Sequence, residues 1–285
     1  MASPALATNG TPASSISGSS SPNPHKLFNI NPANIISSTI ENTAATSTSE
    51  NGVPRTKICV FCGASPGNSP AHMEAARALA RVFHEKNISL VYGGGTVGLM
   101  GEVARTLVSL SGPESVHGII PAPLVKYERG PNSSPSETST YTPSNLPALQ
   151  VYGHTTVVQD MHTRKQLMAR EVISGGPGSG FIALSGGYGT MEELMEVVTW
   201  NQLGIHSKGI VALNIEGYWD GLLDWIRGAV GKGFIGAGNG ILGSEGAGKG
   251  GEGILGEATT AEEAVELLRL YRNVEGRFKL SWGSE

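Results

Sequence analysis

The chain has 285 residues, with 20 Lys and Arg against 24 Asp and Glu, a formal net charge of −4 and 39% hydrophobic residues. That length can bury one substantial core. The mild negative charge argues against general attraction to nucleic acid or an anionic membrane, although local cations can still hold one small anion.

Residues 1–54 are rich in Ser, Thr, Asn, Pro and Ala. They offer too little apolar surface to offset the entropy of ordering, so a disordered N-terminal tail is expected. The first arginine is Arg55, and no apolar stretch follows basic residues, so neither a transit peptide nor a secretory signal is read there. The longest apolar runs, such as Phe181 to Leu184, are far too short to span a bilayer. Two cysteines in a chain this long suggest a reducing, cytoplasmic setting.

From residue 55 onward the pattern is that of one folded domain. Ile58-Cys59-Val60-Phe61 reads as a buried first strand, followed by the loop Cys62 to Gly67. Cys59 and Cys62 form a C-x-x-C, but the redox use of that motif needs a helix start; inside an apolar run they read as two small core residues. A helix is expected from about Pro70 to Lys86, with Met73, Ala76, Ala80 and Phe83 on one stripe. Ser89–Tyr92 is the second strand, a helix follows over about Leu99–Leu110, and Val116–Ile120 is the third strand.

A second series follows a Pro-, Ser- and Thr-rich surface loop over about 126–147. Asp160 can cap a helix from Met161 to Ile173. Phe181–Leu184 reads as a strand, Met191–Leu203 as a helix, Ile210–Leu213 as a strand and Trp219–Val230 as a helix. Thr260 with Glu263 forms a capping-box signature for a last helix ending near Tyr271. Glycine, 40 of 285 residues, is densest over about 228–256, which reads as a mobile surface insert. Alternating βα units predict an α/β fold, a single Rossmann-like, doubly wound parallel sheet with helices on both faces.

Two glycine turns follow strands and open helices, the position where ligands bind in such sheets. Gly93-Gly94-Gly95-Thr96-Val97-Gly98 fits G-x-G-x-x-G, but the acidic partner of a dinucleotide site should end the next strand, whereas Glu114 precedes it. The second turn, Ser185-Gly186-Gly187-Tyr188-Gly189-Thr190-Met191-Glu192-Glu193, offers backbone N–H groups, a helix dipole and the Thr190 hydroxyl to a phosphate. It lacks the G-K-[ST] of a P-loop.

Glu193 has two readings. With Thr190 it forms a capping box, which would make its role structural. Pointed at a sugar instead, it could stabilise an oxocarbenium ion or orient water. Arg164 and Lys165 flank the stripe Met161, Met168 and Val172. They could snorkel to water, or Arg164 could make a forked contact to phosphate or base. His162 lies off that stripe and reads as a surface or second-layer residue.

Together, Val60-Phe61-Cys62-Gly63-Ala64-Ser65, Tyr92 to Gly101, Met161-His162-Thr163-Arg164-Lys165, Gly186 to Glu193 and Trp200 to His206 resemble the Lonely Guy family of cytokinin-activating nucleoside 5′-monophosphate phosphoribohydrolases. The resemblance covers roughly residues 57–235. It implies release of free base and ribose 5-phosphate from a purine nucleoside 5′-monophosphate, without metal or organic cofactor. Arg164 and Glu193 would be the catalytic pair. The turn Gly186, Gly187, Tyr188, Gly189, Thr190 and Met191 would take the phosphate. Lys165, Glu192 and Thr199 would line the nucleotide site, with Glu128 as an acidic substrate contact. A homodimer is implied, with the pocket near the subunit interface. The family usually has Pro where this chain has Ser185, a change expected to loosen the turn slightly. A nucleotide-binding carrier or sensor on the same fold is the alternative. A pyridoxal-dependent lysine decarboxylase is a further one, for which Lys165 is the tempting residue.

Overall fold

Short apolar runs set the sheet. In the computed structural model these are β1 (Lys57–Phe61), β2 (Ser89–Tyr92), β3 (Val116–Pro121), β4 (His154–Val158), β5 (Gly180–Ala183), β6 (Gly209–Leu213) and β7 (Leu255–Ala258). All pairings are parallel, in the order β4-β3-β2-β1-β5-β6-β7. The structure describes residues 54–125, 146–242 and 253–273, together with residues 52, 278 and 280. The expected tail (apart from residues 52 and 54), Glu128, most of the 126–147 loop and residues 243–252 lie outside them. The described residues fall within one compact unit, Thr46–Ser284.

Parallel pairing requires crossovers, and these are supplied by α1 (Pro70–Glu85), α2 (Gly98–Ser111), α3 (Met161–Ile173), α4 (Tyr188–Gln202) and α5 (Asp220–Gly231), with α6 (Ala261–Leu270) after the last strand. Successive side chains of a strand face opposite ways, so β1 feeds both layers. Ile58 and Val60 pack with Leu79 and Phe83 of α1, Val103 of α2 and Ala264 of α6. Cys59 and Phe61 pack with Met168 and Val172 of α3, Leu194 of α4 and Leu223 of α5. Both thiols are free and buried. Burial pushes each well above the usual thiol range, which suits core residues and not redox ones. Among the described residues no helix is long and apolar enough to cross a membrane.

Two strands lack the apolar runs by which strands are read. β4 is an edge strand, His-Thr-Thr-Val-Val, half-buried and polar at its start. β7, Leu-Gly-Glu-Ala, belongs to the glycine-rich stretch. That stretch is therefore not wholly a surface insert: Gly228 to Gly231 complete α5, and Ile241, Ile254 and Leu255 are buried.

The order places β2, β3 and β4 on one side of β1 and β5, β6 and β7 on the other. The switch point thus lies between β1 and β5, where the carboxyl ends of diverging strands open a crevice. The loops leaving both strands meet there, with Gly63 N–H donating to the Ser185 carbonyl at 2.9 Å.

Candidate active site

The turn after β5 carries no side-chain cap. Gly187 is the N-cap of α4, with extended backbone (φ −95°, ψ −153°). The opening N–H groups of a helix lack intrahelical partners, and the positive end of the helix dipole lies behind them. Gly187, Tyr188 and Gly189 are exposed, Tyr188 at 97%. Buried Thr190 packs directly beneath: a Cβ at Gly186 would stand 2.0 Å from Thr190 Oγ1, so only glycine fits above it. The turn read from the sequence as an anion cradle thus lies at an uncapped, exposed helix start.

α4 begins at Tyr188, three residues before the expected Met191. Thr190 is then the third residue of the helix and Glu193 the sixth. The capping box at Thr190 and Glu193 does not exist, so Glu193 is not a helix cap. The other glycine turn behaves differently. At the start of α2, the N–H groups of Leu99 and Met100 both donate to the Gly63 carbonyl, at 3.1 and 3.3 Å. That helix end is engaged within the protein, which removes the dinucleotide reading.

Arg164 stands in the first turn of α3, where the Asp160 side chain accepts from Thr163 N–H at 2.8 Å. Its side chain does not snorkel: the residue is only 8% exposed. Nη2 lies 3.3 Å from Glu193 Oε1, Nη1 lies 3.7 Å from Met161 Sδ, and Nε is buried with no protein partner. Gly93 makes the room, because a Cβ there would fall 1.9 Å from Arg164 Nη2. Met161 itself is 39% exposed, off the buried stripe expected for it. Burial pushes the Glu193 carboxyl above the usual carboxylate range; Arg164 opposes this, while the neighbouring Glu192 adds to it. A buried cation with an unmet donor therefore faces a buried carboxylate whose pKa is raised.

Lys165 is held elsewhere. Its ammonium donates to Glu192 at 2.5 Å and to Glu196 at 2.8 Å. Burial lowers its pKa, but the bonds to the two carboxylates outweigh burial and the net displacement is upward. An amine held protonated is poorly suited to attack a carbonyl as a Schiff-base nucleophile. Met191 is 36% exposed beside the turn. Thr199 is exposed and donates to the Met195 carbonyl at 2.8 Å. It lies six residues, about 9 Å of helix, beyond Glu193, and its hydroxyl is taken by that carbonyl. His162 is exposed, as expected. Among the described residues no group of three or more His, Cys, Asp or Glu is placed to hold a metal ion.

Three features went unread in the sequence. Gly93 admits the Arg164 guanidinium. Glu196 shares Lys165 with Glu192, and the spacing of the two glutamates, four apart on one helix face, was the available signal. Ser185 does not simply loosen its turn, because its Oγ lies 3.0 Å from His72 Nδ1.

The fold and the site define a doubly wound α/β protein with an uncapped helix start in the same helix as the buried Glu193 of an Arg–Glu pair. A family described as possible lysine decarboxylases matches residues 100–241. The chain is 51% identical over 225 residues to a bifunctional cytokinin biosynthesis protein of Fusarium pseudograminearum, covering 79% of this chain and 42% of that protein. It is 45% identical over 179 residues to a cytokinin riboside 5′-monophosphate phosphoribohydrolase of Arabidopsis thaliana, covering 63% and 70%. Another phosphoribohydrolase of that plant is 40% identical over 231 residues, covering 80% and 90%. The chain belongs to the cytokinin riboside 5′-monophosphate phosphoribohydrolase family. It spans less than half the length of the Fusarium relative, 42%.

Proposed function

We propose that this chain hydrolyses the N-glycosidic bond of purine nucleoside 5′-monophosphates, N6-modified adenine nucleotides among them, to free base and ribose 5-phosphate. The observation that carries the reading is the buried Arg164–Glu193 pair, 3.3 Å apart, next to an uncapped helix start. The N–H groups from Gly186 to Thr190 take the 5′-phosphate, and its binding energy positions the sugar. The bond from C1′ to the base then breaks with its electron pair leaving on the base, which takes up one proton, balanced by the proton that the attacking water gives up. Ionised Glu193 faces the positive charge developing on C1′ and the ring oxygen, and orients the water whose oxygen bonds to C1′ as its proton departs. Arg164, with Nε unmet, holds the nucleotide through charge-assisted bonds. Lys165 keeps Glu192 drawn aside, which limits its repulsion of the phosphate. Glu128 and Thr199 complete the nucleotide site in this reading, which needs no metal or organic cofactor and takes the protein as a cytoplasmic homodimer.

Purified protein incubated with AMP and with N6-isopentenyl-AMP should yield free base by chromatography. Nucleotide binding without any base released would instead mark a carrier or sensor.

A further inference from the structure

The peptide groups leading into α4 are held from outside the turn. Gly63 N–H donates to the Ser185 carbonyl at 2.9 Å, and the Tyr218 hydroxyl donates to the Gly186 carbonyl. A trans peptide unit points its C=O and N–H in opposite directions. These two bonds therefore also fix where the Gly186 and Gly187 N–H groups point.

The supports of Tyr218 reach far along the chain. It follows a short 3₁₀ turn, Ile215–Gly217, in which Glu216 takes left-handed backbone (φ 53°). Glu216 accepts from the hydroxyl of Ser69, the N-cap of α1, at 3.1 Å. His72, in the first turn of α1, meets the Tyr218 ring edge-on with centroids 5.9 Å apart, and sets its Nδ1 3.0 Å from Ser185 Oγ. The Trp219 ring packs edge-on against Tyr218 at 5.1 Å.

We propose that His72, Ser185 and Tyr218 form a clasp that aims the Gly186 and Gly187 N–H groups at the substrate's 5′-phosphate. They are positioning residues: none need touch the anion, and each acts through the backbone of the turn. The clasp rests on the phosphate placement of the hydrolase reading and specifies what makes that turn rigid. It also gives the serine at position 185 a use that a proline there could not supply, since proline has no hydroxyl to meet His72.

Tyr218 is 45% exposed, so Tyr218→Phe removes one hydroxyl and leaves the ring packing in place. Calorimetric titration of the full chain with ribose 5-phosphate, and separately with adenosine, tests the clasp. Tyr218→Phe and Ser185→Ala should each weaken ribose 5-phosphate binding about five- to tenfold, with adenosine affinity within about twofold of wild type. His72→Ala should show the same selective loss, whereas His72→Asn, whose amide can still meet the Ser185 hydroxyl, should restore most of it. Unchanged ribose 5-phosphate affinity in Tyr218→Phe or Ser185→Ala overturns the clasp and leaves the hydrolase reading standing. Equal losses for both ligands overturn it too, since they would mark a general distortion. Wild-type protein that binds ribose 5-phosphate selectively but releases no base from AMP overturns the hydrolase reading alone.

Discussion

Glu193 is a carboxylate whose burial the fold does not fully compensate. Arg164 pairs with it at 3.3 Å, and its pKa still lies above the ordinary range because desolvation outweighs that pairing. For an acid with a raised native pKa, ionisation costs stability as pH rises. Glu193→Gln is therefore expected to hold or slightly raise the melting temperature while lowering kcat about 10²- to 10³-fold. A large fall in melting temperature with activity retained would return Glu193 to a structural role. If the ionised form is the active one, kcat/KM should rise with pH through an acid limb above the usual glutamate value of about 4.3. Lys165 helps to keep Glu193 ionised, whereas Glu192 and Glu196 oppose it. Lys165→Met frees those two carboxylates and should move the limb to higher pH, whatever it does to the plateau. A pH–rate profile checks the direction, and a limb that stays put would detach the titration from Glu193.

The two glycine turns look alike as strings and differ as elements. At α2 the first N–H groups are taken by the Gly63 carbonyl; at α4 no side chain caps them. A nucleoside lacking its 5′-phosphate should accordingly show kcat/KM at least about 100-fold lower than the nucleotide, and equal turnover of both would contradict the phosphate cradle. The α2 turn serves the site through Gly93. Gly93→Ala should displace the Arg164 guanidinium, given the 1.9 Å approach, and lower activity to nearly that of Arg164→Ala while leaving Glu193 in place. Much of this was legible in the sequence where an apolar run is bounded by glycine, as at Ser89–Tyr92, or where a cap residue precedes a helix, as at Asp160. β4 was not, because an edge strand needs no continuous apolar run. The start of α4 was misplaced because Tyr188-Gly189 reads as turn, and that shift created a capping box that is absent. The direction of Arg164 could not be read at all: periodicity places it beside a stripe, while the gap at Gly93, 71 positions away in the chain, decides where it goes.

Across the whole molecule, α3 runs from the crevice back to the amino ends of the strands. Arg164 lies near its start, and two turns later Glu171 accepts from Lys57 of β1 at 2.9 Å and pairs with His117 of β3. His117 in turn meets Thr156 of β4 at 2.8 Å. This network anchors α3 to three strands and so sets the height of Arg164 in the crevice. Burial raises the Glu171 pKa, but its bonds to His117 and Lys57 outweigh burial and hold it below the usual range. A depressed native pKa contributes stability above the unfolded value of about 4.3, which is lost as pH falls through the native value. Glu171→Gln should thus cost about 1–3 kcal/mol at neutral pH, with the difference from wild type shrinking in urea titrations at about pH 3.5; the same difference at both pH values would contradict the network. The proposed chemistry turns on where a nucleotide sits. A crystal structure of Glu193→Gln with AMP bound is expected to show the phosphate on the N–H groups of Gly186 to Thr190, with C1′ within about 4 Å of the side chain at position 193 and Arg164 in contact with the nucleotide. A nucleotide bound with C1′ remote from both side chains in every subunit would contradict it.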